Sequence, residues 1–221
     1  GDAIVSHPKV KAISFTGGTA TGKIIGRKAA ETFKKTSLEL GGKNPNIIFA
    51  DCDFDAMLNT TLHSSFANQG QICLCGSRIF IEKSIYEKFK TAFIEKLKTH
   101  KVGDPFDKYS KMGAMVSEDH LNKVMGYVHL AAEEGGKVLF GGNKLIIEGN
   151  ENGYYMEPTV IEGLDFHCRT NQEEIFGPVV TLTPFETEEE VLEMANSTQY
   201  GLAATVWTEN LTRAQRVSQE L

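Results

Sequence analysis

Residues 11–24 are KAISFTGGTATGKI, an apolar run that breaks at paired glycines. A short apolar run, Lys11 to Phe15, ends at a glycine turn, and the residues after it have a helical pattern to about Phe33. Strand, glycine turn and helix in that order place free backbone N–H groups at a helix N-terminus, where anions bind. Three readings of the turn stand side by side. Gly17, Gly22 and Lys23 nearly complete a phosphate-binding P-loop, and NIIFAD, ending at Asp51, imitates its Walker B strand. Against this, Ile24 occupies the position that needs a magnesium-binding hydroxyl. A dinucleotide-phosphate turn is the second reading, although Gly17, Thr19 and Gly22 do not give the usual G-x-G-x-x-G spacing. A purely structural turn is the third.

Beyond this helix, residues 37–40 form a second predicted strand and close a β-α-β unit with a parallel sheet. Residues 47–49 give a third, and DFDAMLNTTLHSSFANQ a helix capped by an Asp. SRIFIE, residues 77–82, alternates as a strand. Ser84 with Glu87 predicts a capping box, opening a helix that buries Tyr86, Phe89, Phe93 and Leu97. Ser117 precedes a helix with Leu121, Val124, Val128 and Ala131 on one side and Gly135 and Gly136 as its stop. Residues 137–140 and 179–183 read as strands, and Thr187 with Glu190 as a second capping box. Residues 202–207 read as a buried strand, and residues 211–221 as a last helix. Strands alternating with helices predict an α/β fold, an open, largely parallel sheet with flanking helices.

The chain has 221 residues, 41% of them hydrophobic, a formal net charge of −6 and no apolar run near the ~18 residues of a membrane span. These totals argue against nucleic-acid and membrane partners. Gly1 in place of Met suggests a processed or excised chain. Cys52, Cys73, Cys75 and Cys168 make no C-x-x-C pair and no zinc set, so free thiols in a cytoplasmic protein are expected, and no metal.

Three further stretches could carry chemistry. In LELGGKNPN, Glu39 lies between leucines at a strand end; such a carboxylate is either desolvated, which suits a general base, or turned to solvent. In NQGQICLCGSR, Cys73 follows a polar, glycine-containing loop, as a nucleophile or as a small core residue. Cys75 points the other way if the segment is extended. In NQEEIFGPVV, paired glutamates and Phe176 could hold a ribose hydroxyl with a planar face beside it, or form a plain strand entry.

Together and in this order, FTGGTATG, LELGGKNPN, NQGQICLCGSR, EEIFGPVV and YGLAATVW resemble the NAD(P)-dependent aldehyde dehydrogenases from one end of the chain to the other. The resemblance implies that residues 1–38 end a dinucleotide-binding domain and residues 39–221 form a truncated catalytic domain. It implies Cys73 as nucleophile, Glu39 as general base and no catalytic duty for Cys75. It also implies cofactor contacts by Gly17, Gly18, Thr19, Gly22, the Leu40 backbone, Glu174 and Phe176. The expected cofactor is NAD or NADP, the expected substrate a small aldehyde, and the expected full-length assembly a homodimer or homotetramer. A glutamate at position 39 favours hydrolysis over transfer to coenzyme A. QICLCGSRIF leans towards relatives that oxidise muconate-type semialdehydes. Complete members are much longer, so the isolated chain is expected to be inactive. A non-catalytic scaffold would have favoured loss of Cys73 or Glu39, and a thiol hydrolase needs a histidine with a local signature, which neither His63 nor His167 has.

Overall fold

A computed structural model describes all 221 residues, which divide into two units, Gly1–Gly42 and Lys43–Leu221. In the first unit a short helix α1 (Asp2–Ser6) precedes β1 (Ala12–Thr16), α2 (Thr19–Ala30) and β2 (Lys35–Glu39). β1 and β2 pair in parallel, with Phe15 opposite Leu38 and Thr16 opposite Glu39. The Gly17 N–H extends the ladder by donating to the Glu39 carbonyl at 3.0 Å.

The second unit is built on a six-stranded sheet of β3 (Pro45–Ile48), β4 (Arg78–Glu82), β5 (Lys137–Phe140), β8 (Thr159–Glu162), β9 (Val179–Phe185) and β10 (Thr205–Trp207). Their spatial order is β10-β3-β4-β9-β8-β5, and every pair is parallel except β5 with β8. Strand alternation divides the apolar side chains between two faces. Ile48, Ile79, Ile81, Val180 and Leu182 face α3 (Phe54–Phe66) and α4 (Tyr86–Leu97), where Met57, Phe89 and Phe93 complete a fully buried core. Ile47, Phe49, Phe80 and Phe185 face the other way, onto α7 (Glu188–Ala195) and α8 (Leu211–Glu220). Ile161 and Val179 pack with Leu121, Val124 and Val128 of α5 (Glu118–Glu133). A sheet covered on both faces buries its strands on both sides, and β3 and β4 are buried almost throughout, with apolar runs at Ile47–Ile48 and Ile79–Ile81. A two-stranded ladder of β6 (Lys144–Leu145) with β7 (Tyr155–Met156) and a one-turn helix α6 (Arg169–Gln172) complete the unit.

The Asp cap of α3 forms as the sequence predicts, Asp53 accepting from Ala56 N, and Ser117, just before α5, accepts from His120 N. The box at Ser84 does not form. Ser84 lies in a 3₁₀ turn, its hydroxyl donates to Glu82, and Glu87 pairs with Lys90 instead. Thr187 does cap α7, but the Glu190 carboxylate accepts from Glu186 N rather than from its cap residue. The strand expected over residues 202–207 is also different: only Thr205–Trp207 pairs, as a sheet edge, and its residues are exposed or half-buried.

Candidate active site

The residues singled out from the sequence fall into two groups, one in each unit. In the first unit, Gly18 is the N-cap of α2 and makes no side-chain cap, and a Cβ added to it would meet nothing within 4 Å. The Thr19 hydroxyl, in the first turn, is buried without a hydrogen-bond partner. An uncapped helix start, open space at its glycine and an orphaned hydroxyl fit a phosphate. Gly22 has a different reason to be glycine: a Cβ there would lie 2.4 Å from the Leu40 side chain, so Leu40 packs directly on α2. Glu39 ends β2 and is exposed rather than wedged between its leucines.

In the second unit, β3, β4 and β9 are parallel neighbours, and the segments that precede them meet at their amino ends. Open α/β sheets commonly bind ligands at the carboxyl ends of strands, so this arrangement departs from the usual rule. The segment before β4 starts where α3 stops. Asn68, Gln69 and Gly70 all adopt left-handed backbone angles, with φ of 48°, 59° and 67°. Such angles cost about 1–3 kcal/mol each for ordinary residues and persist only where surroundings impose them. Asn68 Nδ2 donates to the Gln71 carbonyl, and Gln71 Oε1 accepts from Val116 N. A tight turn follows, closed by Cys75 N donating to the Ile72 carbonyl at 3.1 Å, with Cys73 and Leu74 at its corner. The segment is therefore not extended. Cys73 is half-buried at the corner, whereas Cys75 is buried behind it.

The remaining thiols differ in their surroundings. Burial pushes the Cys75 and Cys52 thiols up, and burial together with the Glu134 carboxylate pushes Cys168 up to about 11.

The segment before β9 carries Phe176, itself left-handed at φ 60°. Its carbonyl accepts from His120 Nε2 at 2.6 Å, and the two rings meet edge to face at 6.0 Å. One turn further along α5, Val124 lies so close to Gly177 that a Cβ there would sit 2.6 Å from a Val124 methyl. Gly70 meets Gly177 from the other side, where a Cβ would come within 2.2 Å of the Gly177 carbonyl oxygen. The glycines of the two motifs thus pack backbone to backbone. Of the paired glutamates, Glu173 is held below the usual carboxylate range by Arg169 and Tyr127. The Glu174 carbonyl accepts from Lys123 Nζ at 3.3 Å.

Four residues that sequence reasoning did not single out complete this region. The Arg78 guanidinium, 2% exposed, faces no carboxylate and donates instead to the carbonyls of Lys43, Met194 and Ala195 at 2.8–2.9 Å. Two of these are the last carbonyls of α7, where a cation is favourable. Lys43 is equally buried, and burial, with the Arg78 charge beside it, pushes its amine down to about 7. Asn44 donates from Nδ2 to the Cys73 and Cys75 carbonyls at 2.7 and 3.0 Å. His120 is the fourth. All four make contacts across many residues of sequence, and the one local signal is Asn44 preceding a proline.

No group of histidine, cysteine, aspartate and glutamate side chains could hold a metal ion, and no helix is long and apolar enough to cross a membrane. A model of the aldehyde dehydrogenase family matches residues 1–221. The chain is 51% identical to 2-aminomuconic semialdehyde dehydrogenase of Danio rerio and 50% identical to that of Homo sapiens, over its whole length and 46% of each relative. The structure is similar to crystalline betaine aldehyde dehydrogenase from Staphylococcus aureus in complex with NAD+, with a TM-score of 0.96 and 43% identity. The match covers 100% of this chain and 44% of that one. The chain thus spans under half the length of the relatives it matches.

Proposed function

The chain belongs to the aldehyde dehydrogenase family, and from that premise we propose that the full-length protein oxidises a small aldehyde to its carboxylic acid through a cysteine thioester. The observation that carries this reading is Cys73: half-buried at a turn corner, held by Asn44 through the turn's carbonyls, and three residues after a strained glycine turn. An aldehyde cannot release hydride until its carbon is tetrahedral, so the Cys73 thiolate adds to the carbonyl first. The oxyanion formed needs a donor, and the Cys73 backbone N–H is one. The chemistry that NAD supplies when bound is acceptance of a hydride. With that hydride gone, the Cys73 adduct is a thioester. Glu39 takes a proton from water, the hydroxide attacks the acyl carbon, and the Cys73 thiolate leaves as the acid departs.

Residues that would hold the dinucleotide are Gly17, Gly18, Thr19 and Gly22 at the start of α2, the Leu40 backbone, Glu174 and Phe176. The uncapped α2 terminus and the buried Thr19 hydroxyl support the phosphate end of this reading. Residues 1–38 would then close a cofactor domain, and residues 39–221 would form most of a catalytic domain that is inactive alone. NAD is preferred over NADP because the similar structure is an NAD+ complex. A semialdehyde is the preferred substrate because relatives at 51% and 50% identity are semialdehyde dehydrogenases. The assembly would be a cytoplasmic homodimer or homotetramer.

NADH absorbance tests the reading on full-length protein offered muconate-type semialdehydes and betaine aldehyde. Semialdehyde turnover that Cys73→Ser abolishes is expected, with Glu39→Gln stopping after one hydride per site. Undiminished turnover by Cys73→Ser would overturn it.

A further inference from the structure

We propose that Asn44 is a positioning residue for the Cys73 nucleophile, its carboxamide holding closed the turn that carries the thiol. This rests on the assignment of Cys73 just proposed. The turn Ile72–Cys75 has one backbone hydrogen bond of its own, from Cys75 N to the Ile72 carbonyl. Asn44 adds two, donating from the same Nδ2 to the Cys73 carbonyl at 2.7 Å and the Cys75 carbonyl at 3.0 Å. The first fixes the Cys73–Leu74 peptide plane, and so the backbone angle from which the thiol projects. The second fixes the far end of the turn, three residues before β4 begins.

A positioning group must itself be held, and Asn44 is held on both sides. Pro45 follows it, which restricts the Asn44 backbone to extended angles. The Asn44 carbonyl accepts from Arg78 N, and the neighbouring Lys43 carbonyl accepts from Arg78 Nε. The residue is 4% exposed, so water does not compete for its donors. Parallel pairing of β3 with β4, Pro45 opposite Arg78, brings the Asn44 side chain beneath the turn.

The residue type fits this task and few others. Two carbonyls facing one nitrogen need an –NH₂ group with two donors, which serine lacks and which aspartate would replace with a repelling oxygen. Orienting the amide this way leaves Asn44 Oδ1 buried with no partner. Such an orphan lowers stability, so the amide is better explained by the carbonyls it holds than by core packing alone.

Asn46 supplies the internal control. It lies two residues along β3, is 1% exposed, also leaves its Oδ1 unpaired, and donates to Thr61 Oγ1 rather than to the cysteine turn. The experiment compares Asn44→Ala, Asn44→Ser and Asn46→Ala in full-length protein with Cys73→Ser alongside. Single-turnover NADH formation, KM for NAD and thermal stability are read for each. Expected is a fall of about 10- to 100-fold in the single-turnover rate for both Asn44 variants, as for a misplaced reacting group. KM for NAD should stay within about twofold, and Asn46→Ala should keep its rate within about threefold at a comparable loss of stability. Should Asn44→Ala not fold, Asn44→Ser, which retains a polar atom, carries the comparison. Wild-type rates in a folded Asn44 variant, or an equal slowing in Asn46→Ala, would overturn the proposal while leaving Cys73 in place. Full activity in Cys73→Ser would instead remove the nucleophile assignment, and Asn44 with it.

Discussion

Gly70→Ala puts the packing between the cysteine segment and the Phe176–Gly177 turn under direct strain. Gly70 has φ 67°, and an added Cβ would stand 2.2 Å from the Gly177 oxygen, 2.5 Å from its carbonyl carbon and 2.9 Å from Pro178 N. All three are backbone atoms, so no side-chain rotation relieves the clash. Gly177 cannot retreat towards α5, where Val124 already occupies the space of its missing side chain, and Phe176 is tied to His120. The cysteine segment must therefore give way by roughly 1 Å. A left-handed alanine costs about 1–2 kcal/mol and overpacking a further 1–3, for a total of about 2–5 kcal/mol. A 1 Å error at a reacting group is worth about 100-fold in rate. Gly149→Ala separates the two costs: Gly149 has φ 78°, yet a Cβ there would meet nothing within 4 Å. Denaturant unfolding and single-turnover kinetics of full-length protein should show Gly149→Ala losing about 1–2 kcal/mol with normal kinetics. Gly70→Ala should lose more and turn over about 100-fold more slowly. Equal stability losses, or a normal single-turnover rate in Gly70→Ala, would refute the packing argument.

Two other predictions concern the buried cations. The Lys43 amine titrates at about 7 in the fold against an ordinary 10.5. Between these values the unfolded chain holds more protons, so this group's destabilising effect is full below pH 7 and fades as the pH rises to 10.5. From pH 6 to pH 9 the wild type should gain about 2–3 kcal/mol of stability relative to Lys43→Met. Parallel pH profiles in denaturant titrations would contradict it. Arg78→Lys keeps the charge but loses the fork that reaches three carbonyls. Stability should fall by about 3 kcal/mol or more, read by the same titrations, and a loss under about 1 kcal/mol would count against the network.

Much of the fold was legible because its signals are local. The β1–α2–β2 unit announces itself through a change of period at Gly17 and Gly18, and α5 through Leu121, Val124 and Val128 on one face with Gly135 as stop. The departures lie where another partner or the end of the sheet overrides the pattern. Ser84 and Glu87 have the spacing of a capping box, but Glu82 and Lys90 take their side chains. Residues 202–207 look like a core strand by composition, yet the sheet ends there. Strand β8 is silent in the sequence because four residues between Pro158 and Gly163 show too little pattern to declare a period. Cys73, Glu174 and Phe176 stood out as motif residues. Asn44, Arg78 and His120 did not, because each acts on a backbone carbonyl 29 to 117 residues away.

If the proposed reaction is right, Cys73 carries the acyl group. Full-length Glu39→Gln protein, mixed with semialdehyde and NAD and quenched in acid, would be digested and read by peptide mass spectrometry. One acyl group per chain is expected, on the peptide that contains Cys73, accumulating as NADH appears. Hydride release with the acyl group on Cys52, Cys75 or Cys168, or with no acyl peptide at all, would contradict it.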